Sequence, residues 1–145
     1  MRNRSITVIF FVALGSLTLS GLAVAHGTEK HDKMSPAEAQ MKKLHAMMPM
    51  FSVTTAKLED ALEQGDATAA EAEAGKIVAA IPDLKKTKPH KNFKQRKKFV
   101  ELATNLEVAV NTTIDLVKKG DFANAKVAYK KIEEACAACH AKFRD

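Results

Sequence analysis

The chain has 145 residues, 46% hydrophobic and 28% charged, with 23 basic against 17 acidic side chains. That length and balance describe one globular domain and exclude a fibrous or disordered chain. It has no Trp, six Gly and four Pro, and it is rich in Ala, Lys, Glu, Leu and Val, mostly good helix formers, so an all-helical domain is expected.

Residues 1–25 have the pattern of a secretory signal peptide. Met1-Arg2-Asn3-Arg4 is a basic start, Ile6 to Leu22 an apolar run, and Ala23-Val24-Ala25 a small-x-small cleavage site before His26. The run approaches spanning length, but Gly15, Ser16, Ser20 and Gly21 weaken it as a membrane anchor. Cleavage after Ala25, export to the periplasm and no stable membrane anchor are therefore expected, and with no Cys near the site no lipid anchor is expected either. Arg2 and Arg4 are two of the 23 basic residues, which leaves the mature chain 21 against 17, net +4. Residues 26–34, HGTEKHDKM, are polar and aperiodic, a flexible leader whose His26 and His31 are given no role.

Residues 35–145 form the domain, in four helical segments. Ser35-Pro36-Ala37-Glu38 is a capping box with proline at the first helical position. The apolar stripe of this first helix runs Met41, Leu44, Met47 or Met48, Phe51, Leu58 and Leu62, until Gln64-Gly65-Asp66 breaks it. Asp66 caps a second helix with a face of Ala70, Ala74, Ile77, Val78 and Ile81, expected to end around Pro82. After a linker containing Pro89, Asn92 is expected to cap a third helix whose face is Phe93, Phe99, Leu102, Leu106, Val110, Thr113 and Val117. Gly120 suits the left-handed position after that helix, and Asp121 the next cap. The fourth stripe runs Phe122, Ala125, Tyr129, Ile132, Cys136, Cys139 and Phe143. Short connections force antiparallel neighbours, so the expected fold is an all-α, up-down-up-down four-helix bundle. That topology places HAMMPMF, residues 45–51, and CAACH, residues 136–140, in the same half.

Cys136-Ala137-Ala138-Cys139-His140 matches C-x-x-C-H, the attachment signature of c-type haem. On a helix, cysteines three apart share a face and suit two vinyl groups, and His140 is placed to ligate the iron. A thioredoxin-like pair would need a βαβ setting, a zinc site four ligands, and a disulfide across so small a loop would stabilise little. One covalent haem through Cys136 and Cys139 is the expected cofactor.

Cys-Ala-Ala-Cys-His-Ala-Lys-Phe-Arg on the last helix of an exported four-helix bundle resembles the class II c-type cytochromes, the cytochrome c′ family and its low-spin, Met-ligated relatives. The Phe143-Arg144 ending and the Lys-Lys-Gly-Asp-Phe turn before the fourth helix agree, and the resemblance spans Ser35 to Asp145. It implies a haem within the bundle, held by Cys136 and Cys139, with His140 as proximal ligand and a first-helix side chain on the opposite side. By the family's spacing, Lys43 takes a basic place near the cofactor and Met47 the distal one, with Met48 the rival because the 3-4 alternation runs through either. Thioether sulfur is a soft haem ligand that raises reduction potential; the alternative is gap-filling core methionine. Pro49 removes the N–H that would bond the His45 carbonyl and should kink the helix. His45 and His90 are read as solvated surface histidines.

Lys85, Lys86, Lys88, Lys91, Lys94, Arg96, Lys97 and Lys98 crowd the connection between the second and third helices. This basic segment suits an acidic redox partner or haem propionates as well as plain solvation. Nucleic acid is not expected, a homodimer is left open, and no acid/base constellation beside the motif suggests an enzyme. The expected function is a periplasmic carrier of single electrons, with a five-coordinate, nitric oxide- or carbon monoxide-binding cytochrome c′ as the alternative.

Overall fold

The computed structural model describes residues 34–144; the expected signal peptide and the leader up to Lys33 lie outside them. Four helices follow one another, α1 Pro36–Gln64, α2 Ala67–Lys86, α3 Arg96–Lys118 and α4 Phe122–Phe143. There is no strand among the described residues. Each helix packs on the next, and α4 returns to α1, which makes the expected antiparallel bundle.

Local chemistry sets most of the helix ends. At the start of α1 the Ser35 hydroxyl accepts from the Glu38 N–H while the Glu38 carboxylate accepts from the Ser35 N–H, at 3.2 and 2.8 Å. Each bond satisfies a backbone donor that helix geometry leaves without a partner. Gly65 ends α1 at φ 69°, its N–H donating to the Ala61 carbonyl. Asp66 and Asp121 cap α2 and α4 by accepting from the N–H groups of Ala69 and Asn124, and Gly120 takes φ 72° between α3 and α4. Expectation and structure agree at all of these positions.

Two boundaries differ. α2 does not stop around Pro82 but continues to Lys86. Proline removes one hydrogen bond, whereas Ile81 and Leu84 are buried on either side of it and hold the last turns to the core. The carbonyls at that end are also satisfied: the Thr87 hydroxyl donates to Leu84 O at 2.8 Å, and the Arg96 guanidinium donates to the carbonyls of Lys85 and Thr87. A cation there also complements the negative end of the helix dipole. Secondly, Asn92 does not cap α3. The helix begins at Arg96, with Gln95 as an N-cap that makes no side-chain cap bond. Asn92 instead adopts φ 54°, a left-handed conformation that Asn tolerates better than most residues, and its carbonyl accepts from the Gln95 N–H at 2.7 Å. Phe93, expected in the core, is therefore 60% exposed.

α1 runs unbroken through Pro49. Its buried stripe is Leu44, Met47, Phe51, Thr54, Leu58, Ala61 and Leu62, which meets Leu84, Phe99, Val110, Ile132 and Phe143 in one core. Between α1 and α4 the Tyr129 hydroxyl donates to the Thr55 carbonyl at 3.2 Å, and Lys130 lies 3.7 Å from Glu59. These two contacts fix the register of the pair. Because burial, with Glu59 adding to it, pushes the Tyr129 phenol up, the hydroxyl stays protonated and able to donate.

Tyr129→Phe keeps the ring's packing and removes the hydroxyl's bonds to the Thr55 carbonyl and, at 3.5 Å, the Glu59 carboxylate, so thermal or urea unfolding should show a loss of about 0.5–1.5 kcal/mol. A second expectation concerns pH. Lys43 holds the Asp83 carboxyl below its usual range, so the folded state favours the ionised form. The contribution is present above the unfolded carboxylate pKa of about 3.9 and fades as pH falls through the depressed folded value. Melts of Asp83→Asn should therefore fall below the native protein at neutral pH and converge with it in acid.

Candidate haem-attachment site

Cys136 and Cys139 lie one turn apart on α4, half-buried against the core. Burial pushes both thiols up: Cys139 reaches about 11 with Cys136 adding to it, and Cys136 is raised by burial and then by Glu133. Both are therefore protonated thiols at neutral pH. A dithiol redox pair needs a depressed thiol, so that reading fails on electrostatics as well as on fold. Addition to a vinyl group consumes S–H, sulfur bonding one carbon and hydrogen the other, and the site supplies that form. His140 follows on the exposed side of the helix. Partial burial and then the Arg144 charge pull its imidazole down, which favours the neutral, ligating form.

The last turn of α4 is anchored from outside the helix. The Asn92 amide donates to the Lys142 carbonyl at 2.7 Å, and the Lys91 N–H to the Phe143 carbonyl at 3.3 Å. Phe143 is buried edge-on against Phe99, ring centres 5.2 Å apart. Two carbonyls left over at the helix end are thus satisfied by the α2–α3 linker. Ala135 and Ala138, each just before a cysteine, line an open apolar groove with Leu102, Ala109 and Ala128.

The Tyr129–Thr55 tie sets what α1 presents. Counting seven residues, about 10.5 Å of helix, from each member of that pair brings Met48 level with Cys136. Four residues further, Leu44 is level with His140. Met47 is 8% exposed and belongs to the buried stripe. Met48 is partly buried and, two turns from Thr55, lies on the flank that faces α4. Met41 and Met50 also pack partly buried against the core, with Met50 Sδ accepting from the Thr54 hydroxyl at 3.6 Å. Lys43 turns the other way, its ammonium 2.8 Å from Asp83 on α2. His45 and His90, read as separate surface residues, are brought together with their Nε2 atoms 2.9 Å apart.

These residues fit a haem in their donor chemistry, with two protonated thiols one turn apart, an adjacent neutral imidazole, and thioether sulfur at the same level on the facing helix. The buried Gln40 Oε1, two turns before Met47 on the same face, has no hydrogen-bond partner, and no other buried side-chain polar atom of the described residues is left so. A buried polar atom without a partner calls for a water, an ion or a ligand beside it, or is held at a cost.

An all-α bundle with C-x-x-C-H on its last helix defines a c-type cytochrome. The chain matches the family model described as Cytochrome C' over residues 30–144 and belongs to that family, whose members bind haem in a four-helix bundle, are in general not enzymes and are generally periplasmic. No curated protein and no solved structure matches the chain.

Cys136→Ala and Cys139→Ala should each leave a haem held by a single thioether, and the double variant none. Intact mass and the pyridine haemochrome spectrum distinguish the three.

Proposed function

We propose that the chain is an exported electron carrier in which Met47 and His140 would both hold the haem iron, Met47 supplying a thioether and His140 an imidazole. The observation that carries this reading is the buried Met47 thioether, on the inward stripe of α1 at the level of the cysteine-bearing turns of α4. When bound, a haem supplies a one-electron couple. The chain's own residues tether it (Cys136 and Cys139), offer a neutral imidazole (His140) and wall it with packed helices that change little between oxidation states. Met48 supports a second version of the same reading, since it lies on the flank toward α4 and level with Cys136.

Charge near the linker supports a docking role. Lys85, Lys86 and Lys98 are paired with Glu107, Asp83 and Glu101, and Arg96 is occupied with backbone carbonyls. Lys88, Lys91, Lys94 and Lys97 are exposed and hold no ion pair with a described residue. They sit on the linker that anchors the end of α4, where an acidic partner protein would approach the redox centre most closely.

Optical spectra of the matured protein test the proposal. A sharp low-spin reduced spectrum and a weak near-infrared methionine-to-iron band in the ferric form are expected. Met47→Ala should abolish that band and lower the potential by on the order of 0.1 V, within the ~0.8 V span that axial ligands command. Loss of the band in Met48→Ala alone would transfer the ligand role to that residue. A broad high-spin spectrum that shifts with carbon monoxide would overturn the carrier reading and make gas binding the function.

A further inference from the structure

The α2–α3 linker holds an aromatic ring out in water. Phe93 is 60% exposed, whereas the other large apolar side chains so exposed among the described residues, Met34, Val53, Val108 and Val127, are aliphatic. Single exposed apolar groups are ordinary, but three observations set Phe93 apart. Its backbone is pinned: the Lys91 N–H and the Asn92 amide bond to the end of α4, and the Gln95 N–H and side-chain amide donate to the Asn92 carbonyl and Oδ1 at 2.7 and 3.3 Å. The core does not use the ring, because the same stretch supplies Phe99, packed edge-on against Phe143. Its surroundings carry one sign of charge. No Asp or Glu occurs between Leu84 and Val100, and Lys88, Lys91, Lys94 and Lys97 are exposed with no ion pair to a described residue.

We propose that Phe93 is the apolar anchor of a docking surface for an acidic partner protein, its ring entering an apolar recess whose acidic rim meets Lys88, Lys91, Lys94 and Lys97. This rests on the carrier reading, which gives the chain a partner, and adds the residue that holds the partner in place. Exposed lysines mainly speed the encounter, whereas an aromatic side chain buried at the middle of a polar rim supplies much of the affinity of an interface. The pinned turn lowers the ordering cost of that burial. The bonds from Asn92 and Lys91 end on the carbonyls of Lys142 and Phe143, two and three residues after His140, so a partner seated on Phe93 lies beside the attachment motif. An anionic lipid surface would match the lysines equally well but would cover that approach, which favours a protein.

Photo-crosslinking of the full, haem-loaded chain in the cells that make it provides the test. With p-benzoylphenylalanine in place of Phe93, irradiation should give a discrete protein adduct, and mass mapping should put the joined residue of the partner within an acidic surface. The same group in place of Val127, 65% exposed on α4, should not give that adduct. Combined Lys88→Glu, Lys91→Glu, Lys94→Glu and Lys97→Glu should cut its yield, and with the partner so identified Phe93→Ala should weaken binding at least about tenfold. Absence of an adduct, the same adduct from the Val127 position, adducts to phospholipid, or unchanged affinity in Phe93→Ala would each overturn the surface. The optical spectrum keeps the two readings apart: a low-spin, methionine-ligated protein that gives no adduct overturns the docking surface alone, and a high-spin protein that gives it overturns the carrier reading alone. All five side chains are exposed, so the substitutions leave the core intact.

Discussion

The end of α4 is held by a side-chain and a backbone hydrogen bond from a linker about fifty residues away in sequence, and the geometry of the attachment motif depends on that anchoring. A helix terminus normally frays, because its last carbonyls have no partners within the helix. Here Asn92 and Lys91 supply donors to two of them, and the Phe143–Phe99 contact buries the final aromatic. Cys136, Cys139 and His140 therefore occupy a turn fixed on both sides, by the core toward Ile132 and by the linker toward Phe143. Placing these residues on rigid elements keeps their mutual geometry fixed.

The linker is itself positioned by α2. Arg96 reaches back to the carbonyls of Lys85 and Thr87, so one guanidinium closes α2 and sets where α3 can begin. The extension of α2 past Pro82 and the late start of α3 are one event: the side chain that compensates the end of one helix belongs to the first turn of the next. On the opposite side of α1, the Tyr129–Thr55 bond sets the height at which its methionines meet α4. Register and anchoring together bring soft sulfur and the cysteine-bearing turns to the same band of the bundle.

The parts of this arrangement that are written locally were legible in the chain. Ser35 with Glu38, Gly65 with Asp66, and Gly120 with Asp121 satisfy backbone groups three or four residues away, so their effect does not wait for tertiary structure. The attachment motif is legible for the same reason, because its chemistry resides in adjacent residues. The linker was not. Asn92 reads as a cap because its partner, the Lys142 carbonyl, is distant along the chain, although Asn's tolerance of positive φ is an available signal. Met47 and Met48 are indistinguishable by a 3-4 alternation; Leu44, Phe51 and Thr54 in the packed helix place Met47 on the buried stripe. Lys43 found Asp83 and His45 found His90 across helix boundaries that periodicity does not reach.

The tied linker also bears on durability. Eight basic residues between Lys85 and Lys98 give this stretch the densest run of trypsin-type cleavage points in the domain. A protease must draw several residues of extended backbone into its cleft, and that requires freeing the segment locally. Here the Arg96, Asn92 and Lys91 bonds restrain the backbone of the segment, so drawing it into a cleft requires breaking those bonds first. The most basic segment of the domain is thereby tied down by bonds that also hold the end of the cysteine-bearing helix.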